Sequence, residues 1–301
     1  MIHVQEVVTR DGFQMEPSFI PTEEKIRLIN ELSVAGFSKI EVTSFVSPRH
    51  VPQLKDAKAV LNGIEKNPNV TYVVLVPNEK GAELALQSPV DELNLVMSAS
   101  ATHNRANVNR SHSESLDSFS RIISMARSAN VLANGTVATA FGCPFEGEIS
   151  SDGILRIVDS YLSMGMNSFT LADTTGMAYP TQVEAMVREV KRRFPEIPLT
   201  LHFHNTRGLG LSNILYAIEA GADRFDAALG GIGGCPFAPG ASGNVCTEDV
   251  VHMLSNMGFT TSVDLDHILS LARELPKIIG HATPGQVAKA GKRLELHPSP
   301  F

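Results

Sequence analysis

No stretch of this 301-residue chain is apolar for long enough to span a bilayer, which excludes a helical membrane protein. Cysteine is scarce: residues 143, 235 and 246 are too few and too scattered for a disulfide framework, as expected in a reducing compartment. Positive charge is in deficit, with 25 Lys and Arg against 32 Asp and Glu and a net charge of −7. A general nucleic-acid binder needs clustered cations to displace counterions, so no nucleic-acid partner is expected. No Pro/Ser-rich linker divides the chain, and a single domain over residues 1–301 is expected. The opening MIHVQEVV carries neither a signal-peptide pattern nor an Arg-rich leader, so the expected location is the cytoplasm.

What is present is alternation. Short β-branched runs at 2–8, 39–43, 71–76, 92–97, 131–140, 168–172, 199–204 and 224–228 are separated by amphipathic stretches. That order of elements predicts a parallel α/β fold. From Thr181 onward, Val183, Met186, Val187, Val190 and Phe194 recur at helical spacing. Thr22, followed by Glu23 and Glu24, reads as a capped helix start. Gly36, Gly165 and Gly221 each close a helical stretch just before a strand, and five residues beyond each stand Glu41, Thr170 and Asp226. Eight such units predict a TIM (β/α)8 barrel over about residues 1–228, with its chemistry at the carboxyl ends of the strands. A doubly wound sheet is the weaker alternative, because no Gly-rich dinucleotide fingerprint follows the first strand. Beyond 228 lie a Gly-rich loop and additional C-terminal helices, at 247–256 and 265–279, that cap the barrel or pack on its side.

The loop GGIGGCPFAPGASGNVCTED, residues 230–249, places Cys235 among six glycines in fourteen positions. Ordering so much glycine costs entropy, so the loop needs an offsetting benefit: delivering a thiol over a substrate, or cradling a phosphate with a passive cysteine. In LTLHFHNTRG, His202 and His204 are two apart, which in a strand places both imidazoles on one face, close enough to share a metal or simply to bond one another. TRDGFQ after the first strand brings Arg10 and Asp11, a permanent cation and a hard oxygen ligand, although Arg-Asp-Gly is also a common turn composition. Glu41 ends the second strand, where a buried carboxylate needs a partner and Arg10 is the natural one. The segment MSASATHNRANVNRSHSES reads as a polar rim loop, either ligand-binding or merely solvated, that enters a helix at Ser115. Asp173, in LADTTG, falls at the same face.

TRDGFQ, IEVTSFVSPRHVPQ, HFHNTRG and the Gly-rich cysteine loop, in this order and over nearly the whole chain, resemble the 3-hydroxy-3-methylglutaryl-CoA lyase family of TIM-barrel metallolyases. The resemblance implies a divalent metal, Mg²⁺ or Mn²⁺, held by Asp11, His202, His204 and Asn244. It implies that Arg10 stabilises an enolate, that Glu41 orients Arg10, and that Cys235 and His202 or its neighbourhood carry protons. The substrate would be a CoA thioester, with Gln14, Asp173, Arg105, Asn107 and Asn109 on the substrate side, and the assembly a homodimer. Family members read PRDGLQNE where this chain has TRDGFQME, and S-E-x-F-x-x-K-N where it has SATHNRAN; an Asp after H-x-H is Asn205 here. These departures spare the ligands and touch the first and fourth loops, where the acyl group or CoA is recognised. An acetyl-CoA-condensing synthase or aldolase on the same scaffold is the alternative enzyme, one that should not depend on Cys235. A non-catalytic metal- or CoA-binding scaffold is the alternative outside catalysis.

Overall fold

In the computed structural model, which describes residues 1–234, 243–296 and 298–299, eight parallel strands close into a barrel in chain order. They are β1 (His3–Glu6), β2 (Lys39–Ser44), β3 (Thr71–Leu75), β4 (Glu92–Ser98), β5 (Leu132–Ala138), β6 (Ser168–Asp173), β7 (Leu199–Phe203) and β8 (Arg224–Ala227). The helices are α1 (Thr22–Val34), α2 (Ala57–Gly63), α3 (Glu79–Ala85), α4 (Ala101–Val108), α5 (His112–Ser128), α6 (Ser151–Met164), α7 (Pro180–Arg193), α8 (Gly210–Glu219), α9 (Thr247–Asn256), α10 (Leu265–Ile279) and α11 (Val287–Ala290). The expected TIM barrel and its two further C-terminal helices are thus present.

The core lies between barrel and helices. In α7 the stripe Val183, Met186, Val187 and Val190 is buried, and Phe194, just past the helix, meets Phe169 of β6 edge-on. The three helix-to-strand glycines all have left-handed φ, 95° at Gly36, 95° at Gly165 and 98° at Gly221. At Gly36 a Cβ would also lie 2.0 Å from the Ser262 carbonyl oxygen, so conformation and space both require glycine. After β8, α9 packs against β1 and α10 against α1, so the tail lies beside the first βα unit. Among the described residues no helix is long and apolar enough to cross a membrane.

Four local readings change. β1 stops at Glu6 rather than 8, because the Glu6 carboxylate accepts the Val7 and Val8 amides (3.0 and 2.8 Å) and the chain turns into a π-helical segment, Val8–Gly12. β5 ends at Ala138, where Thr139 takes a left-handed φ of 54°. Thr22 does not cap α1: it is the first helical residue, and its hydroxyl donates to Asp56 Oδ2 at 2.8 Å. The segment after β4 is not a loop running to Ser115. It forms α4 and then α5, which starts at His112 under a reciprocal Ser111–Glu114 capping box, an S-x-x-E signal readable in the sequence.

The inside of the barrel is polar. Branched apolar side chains commonly fill this space, yet here Asn94 Nδ2 donates to Glu41 Oε1 (2.7 Å) and Thr136 Oγ1 to Asn94 Oδ1 (2.8 Å). Asn134 Nδ2 donates to Thr170 Oγ1 (3.1 Å), and Ser168 Oγ to Asn134 Oδ1 (2.8 Å). Glu41, Thr170 and Asp226, the three polar positions marked by the glycine repeat, line one small interior cavity of about 20 Å³. The network starts at the floor of the site described next.

Candidate active site

The π-helical turn after β1 buries both Arg10 and Asp11. Arg10 Nη1 bonds Asp11 Oδ1, and its Nε lies 2.8 Å from Glu41 Oε2, a charge contact off the N–H direction. Glu41 lies within β2 rather than at its end, at a register shift against β3, and reaches Arg10 from the neighbouring strand. Gln14 Nε2 donates to Asp11 Oδ1 at 3.0 Å. The last residue of the set, Asn244, arrives from the far side of the Gly-rich loop and donates from Nδ2 to Asp11 Oδ2 (2.8 Å) and to the Ile232 carbonyl (3.0 Å).

β7 delivers the histidines. His202 Nε2 and His204 Nε2 lie 3.0 Å apart, and Asp11 Oδ2 lies 4.0 Å from the first and 3.8 Å from the second. The candidate ligand atoms of Asp11, His202 and His204 all fall within 4.8 Å of one another. Asn244 Oδ1 is buried with no partner among the described residues, so an amide oxygen stands ready beside the three. A carboxylate, an amide oxygen and two imidazoles suit a divalent cation of hard to borderline character.

Electrostatics suit Asp11 and His204 to this donor set. Burial opposes ionisation of Asp11, but Arg10 and the two imidazoles hold its carboxyl well below the usual carboxylate range, so it stays an anion. Burial lowers His204, favouring the neutral imidazole a metal requires. Burial also disfavours the cation at His202, but Asp226 and Asp11 outweigh it and raise that histidine. Burial raises Glu41 despite Arg10.

Close approach explains two of the loop's glycines. At Gly233, with φ 104°, a Cβ would lie 2.6 Å from Asn244 Nδ2 and 2.9 Å from the Asp11 carbonyl oxygen. At Gly243, with φ 98°, it would lie 2.4 Å from the Gly231 carbonyl oxygen. The two ends of the loop therefore cross against the Asp11 turn with no room for side chains. Cys235 itself lies outside the described residues. Cys143 and Cys246 are buried free thiols, and burial pushes the Cys246 thiol up, away from reactivity.

The remaining candidates are spread wider. Asp173 closes β6 at the same end of the barrel: its Oδ1 accepts the Met177 amide at 2.7 Å, its Oδ2 is buried without a partner among the described residues, and burial raises its carboxyl to about 6. Arg105, Asn107 and Asn109 are not gathered onto the Asp11 cluster. They sit exposed on α4 and its left-handed C-cap, with Arg105 3.6 Å from Glu114.

Four functional positions escaped the sequence reading or were left without a role. Asn94 holds Glu41, and Asp226 Oδ2 lies 3.2 Å from His202 Nδ1. Glu6 and Glu248 fasten the foot of the Gly-rich loop. Glu6 Oε1 accepts the Leu229 amide (3.0 Å) and its Oε2 the Thr247 hydroxyl (2.7 Å), while Glu248 Oε2 accepts the Gly230 amide (3.0 Å). For Glu6 the available signal was an acidic residue in an otherwise apolar run, and for Asp226 its place in the glycine repeat.

Glu248 also makes stability depend on pH. Burial raises its carboxyl from 4.5 to about 7, and its Oε1 has no partner among the described residues. The native state thus binds the proton more tightly than the unfolded chain. The resulting stability is fully present below the unfolded pKa of 4.5 and is lost as pH rises through about 7. Denaturant unfolding at pH 5 and pH 8 is expected to show Glu248→Gln losing less stability over that interval than the parent, and equal losses would refute the assignment.

A closed parallel barrel whose strand ends gather a divalent-cation donor set and a buried arginine defines an enzyme of the TIM-barrel metal-dependent class. The chain belongs to the HMGL-like family, whose model matches residues 1–275. A solved structure of an HMG-CoA lyase from Acinetobacter baumannii, in complex with coenzyme A and 3-methylmalate, superposes with a TM-score of 0.96 at 54% identity, covering 100% of this chain and 98% of that one. A hydroxymethylglutaryl-CoA lyase of Bacillus subtilis is 43% identical over 95% of both chains. An (R)-citramalyl-CoA lyase of Chloroflexus aurantiacus is 40% identical over 96% of this chain and 95% of its own.

Proposed function

We propose that this protein is a metal-dependent carbon–carbon lyase that cleaves 3-hydroxy-3-methylglutaryl-CoA to acetyl-CoA and acetoacetate. The observation that carries the reading is the convergence of Asp11, His202, His204 and Asn244 beside Arg10 at the carboxyl ends of the strands.

Cleavage requires loss of the tertiary hydroxyl proton, breakage of the bond between C2 and C3, and protonation of the acetyl-CoA enolate at carbon. A divalent cation, Mg²⁺ or Mn²⁺, held by the four ligands would supply the positive charge that makes the tertiary hydroxyl acidic. Arg10 presents guanidinium charge to the enolate oxygen, and the negative charge of Glu41, itself held by Asn94, keeps that guanidinium in place. With His202 among the metal ligands, the hydroxyl proton passes to a group in its neighbourhood. Cys235, entering from the Gly-rich loop, returns a proton to the enolate carbon. Gln14 and Asp173 contact the acyl half, while Arg105, Asn107 and Asn109, exposed at the rim on α4, meet CoA.

The same bond cleavage on another branched 3-hydroxyacyl-CoA is a second reading. The citramalyl-CoA lyase relative and the 3-methylmalate in the Acinetobacter structure favour it, as do the altered first and fourth loops. One domain over residues 1–301, a homodimer and a cytoplasmic location complete the proposal; the net charge of −7 supports the absence of a nucleic-acid partner.

Mass spectrometry of products formed from 3-hydroxy-3-methylglutaryl-CoA and citramalyl-CoA with Mg²⁺ present checks the reaction and its substrate together. Acetyl-CoA is expected, and its formation should stop both on chelation and in Cys235→Ala. Turnover that survives the loss of Cys235 would point to a synthase- or aldolase-type site, and metal binding without turnover of either thioester to a non-catalytic scaffold.

A further inference from the structure

We infer that Asp226 is a positioning residue that presets His202 as a metal ligand. The inference rests on the metal-site reading above and concerns a residue to which that reading gives no part.

The backbone places the pair. β7 and β8 run parallel in a register that sets His202 directly beside Asp226, so both side chains leave the sheet on the barrel interior. There Asp226 Oδ2 lies 3.2 Å from His202 Nδ1. A carboxylate only accepts hydrogen bonds, so the contact selects the His202 tautomer that carries its proton on Nδ1. The lone pair then sits on Nε2, the atom 3.0 Å from His204 Nε2 and on the Asp11 side of the ring. His204 differs: its Nδ1 is buried and has no partner among the described residues, so no carboxylate stands behind that ring as Asp226 stands behind His202.

The pair is shielded, with side-chain exposures of 13% for His202 and 15% for Asp226, which keeps the contact from being replaced freely by bulk water. Asp226 also lines the small interior cavity shared with Glu41, Asn94, Asn134 and Thr170, a space of about 20 Å³ that suits a single water. Its carboxylate thus stands between that polar cavity and the imidazole. A carboxylate behind a ligating imidazole fixes the ring and raises its basicity, and loss of such a partner typically weakens metal binding about 10- to 100-fold.

The test is Mn²⁺ binding to the purified, metal-stripped full-length protein, read by electron paramagnetic resonance without substrate. Asp226→Ala is expected to weaken Mn²⁺ binding about 10- to 100-fold, and the isosteric Asp226→Asn, which keeps an acceptor but not the charge, by less. ¹⁵N-histidine spectra of the metal-free protein should show His202 protonated on Nδ1 in the parent and redistributed in Asp226→Ala. Parental Mn²⁺ affinity in both variants would overturn the inference. Failure of the parent itself to bind Mn²⁺ would instead overturn the metal-site reading beneath it. Asp226→Asn keeps size and polarity and carries the test if the alanine variant does not fold.

Discussion

Arg10→Gln is expected to lower kcat about 100- to 1000-fold, about 3 to 4 kcal/mol of transition-state stabilisation, the usual effect of removing one preorganised donor from an oxyanion-type site. The magnitude follows from placement. Arg10 is buried at the turn after β1, between Asp11 and Glu41, so its charge acts in a medium from which water is largely excluded. Arg10→Lys should recover little. One ammonium cannot face Asp11, Glu41 and an enolate oxygen together, whereas the planar guanidinium bonds Asp11 through Nη1, sets its Nε edge against the charge of Glu41, and keeps further N–H groups for the oxyanion. Steady-state kinetics, paired with a Mn²⁺ titration, separate the two possible defects. Loss of kcat with metal affinity retained places the defect in charge stabilisation, and turnover within tenfold of the parent would remove Arg10 from that role.

Glu6→Leu is expected to cost about 4 kcal/mol or more of folding stability, whereas Glu6→Gln should cost far less. One Glu6 carboxylate accepts four hydrogen bonds: from the Val7, Val8 and Leu229 amides and from the Thr247 hydroxyl. Leucine matches the size of the side chain but leaves four buried donors without an acceptor, each at about 1 to 3 kcal/mol. Glutamine keeps one carbonyl oxygen for the three amides and offers an amide group to Thr247. Burial raises the Glu6 carboxyl to about 8, yet either protonation state preserves the three-amide contact that glutamine mimics. Urea unfolding of the three proteins measures the difference, and near-equal stabilities would show that these contacts are replaceable by water. The segments Glu6 joins are the Arg10–Asp11 turn and the two ends of the Gly-rich loop. Partial activity loss in a folded Glu6→Gln would therefore trace to loop placement.

The contrast between Glu6 and Asp11 shows what kind of information a sequence holds. Asp11, His202 and His204 were legible because each sits in a short motif whose chemistry is local: an Arg-Asp turn after a strand, and two imidazoles spaced to share one strand face. Glu6 was not, although it stands only four residues before Arg10. Its partners are its two chain neighbours together with residues 229 and 247, and nothing near it in the chain announces them. Asp226 was marked as a polar position by the glycine repeat, but its role depends on the β7–β8 register. The rim segment after β4 failed for a different reason. Its Asn- and Ser-rich composition suggested a loop, while two capped helix starts, Ser100 accepting the His103 amide and Ser111 the Glu114 amide, overrode weak propensity.

The sequence by itself determined the barrel, the number and order of its strands, the helices beyond it and most of the cation donors. Hydrophobic period, helix-ending glycines and short motifs are properties of neighbouring residues, and they survive in the chain without any fold. Only the tertiary structure decided that Asn244 reaches Asp11 across 233 positions, that the barrel's interior is polar, and that Gly233 and Gly243 are required by backbone crossing rather than by loop freedom. Those outcomes depend on closure of the sheet. Closure brings β8 against β1 and so joins the last-made segments of the chain to the first, a proximity that no local pattern encodes.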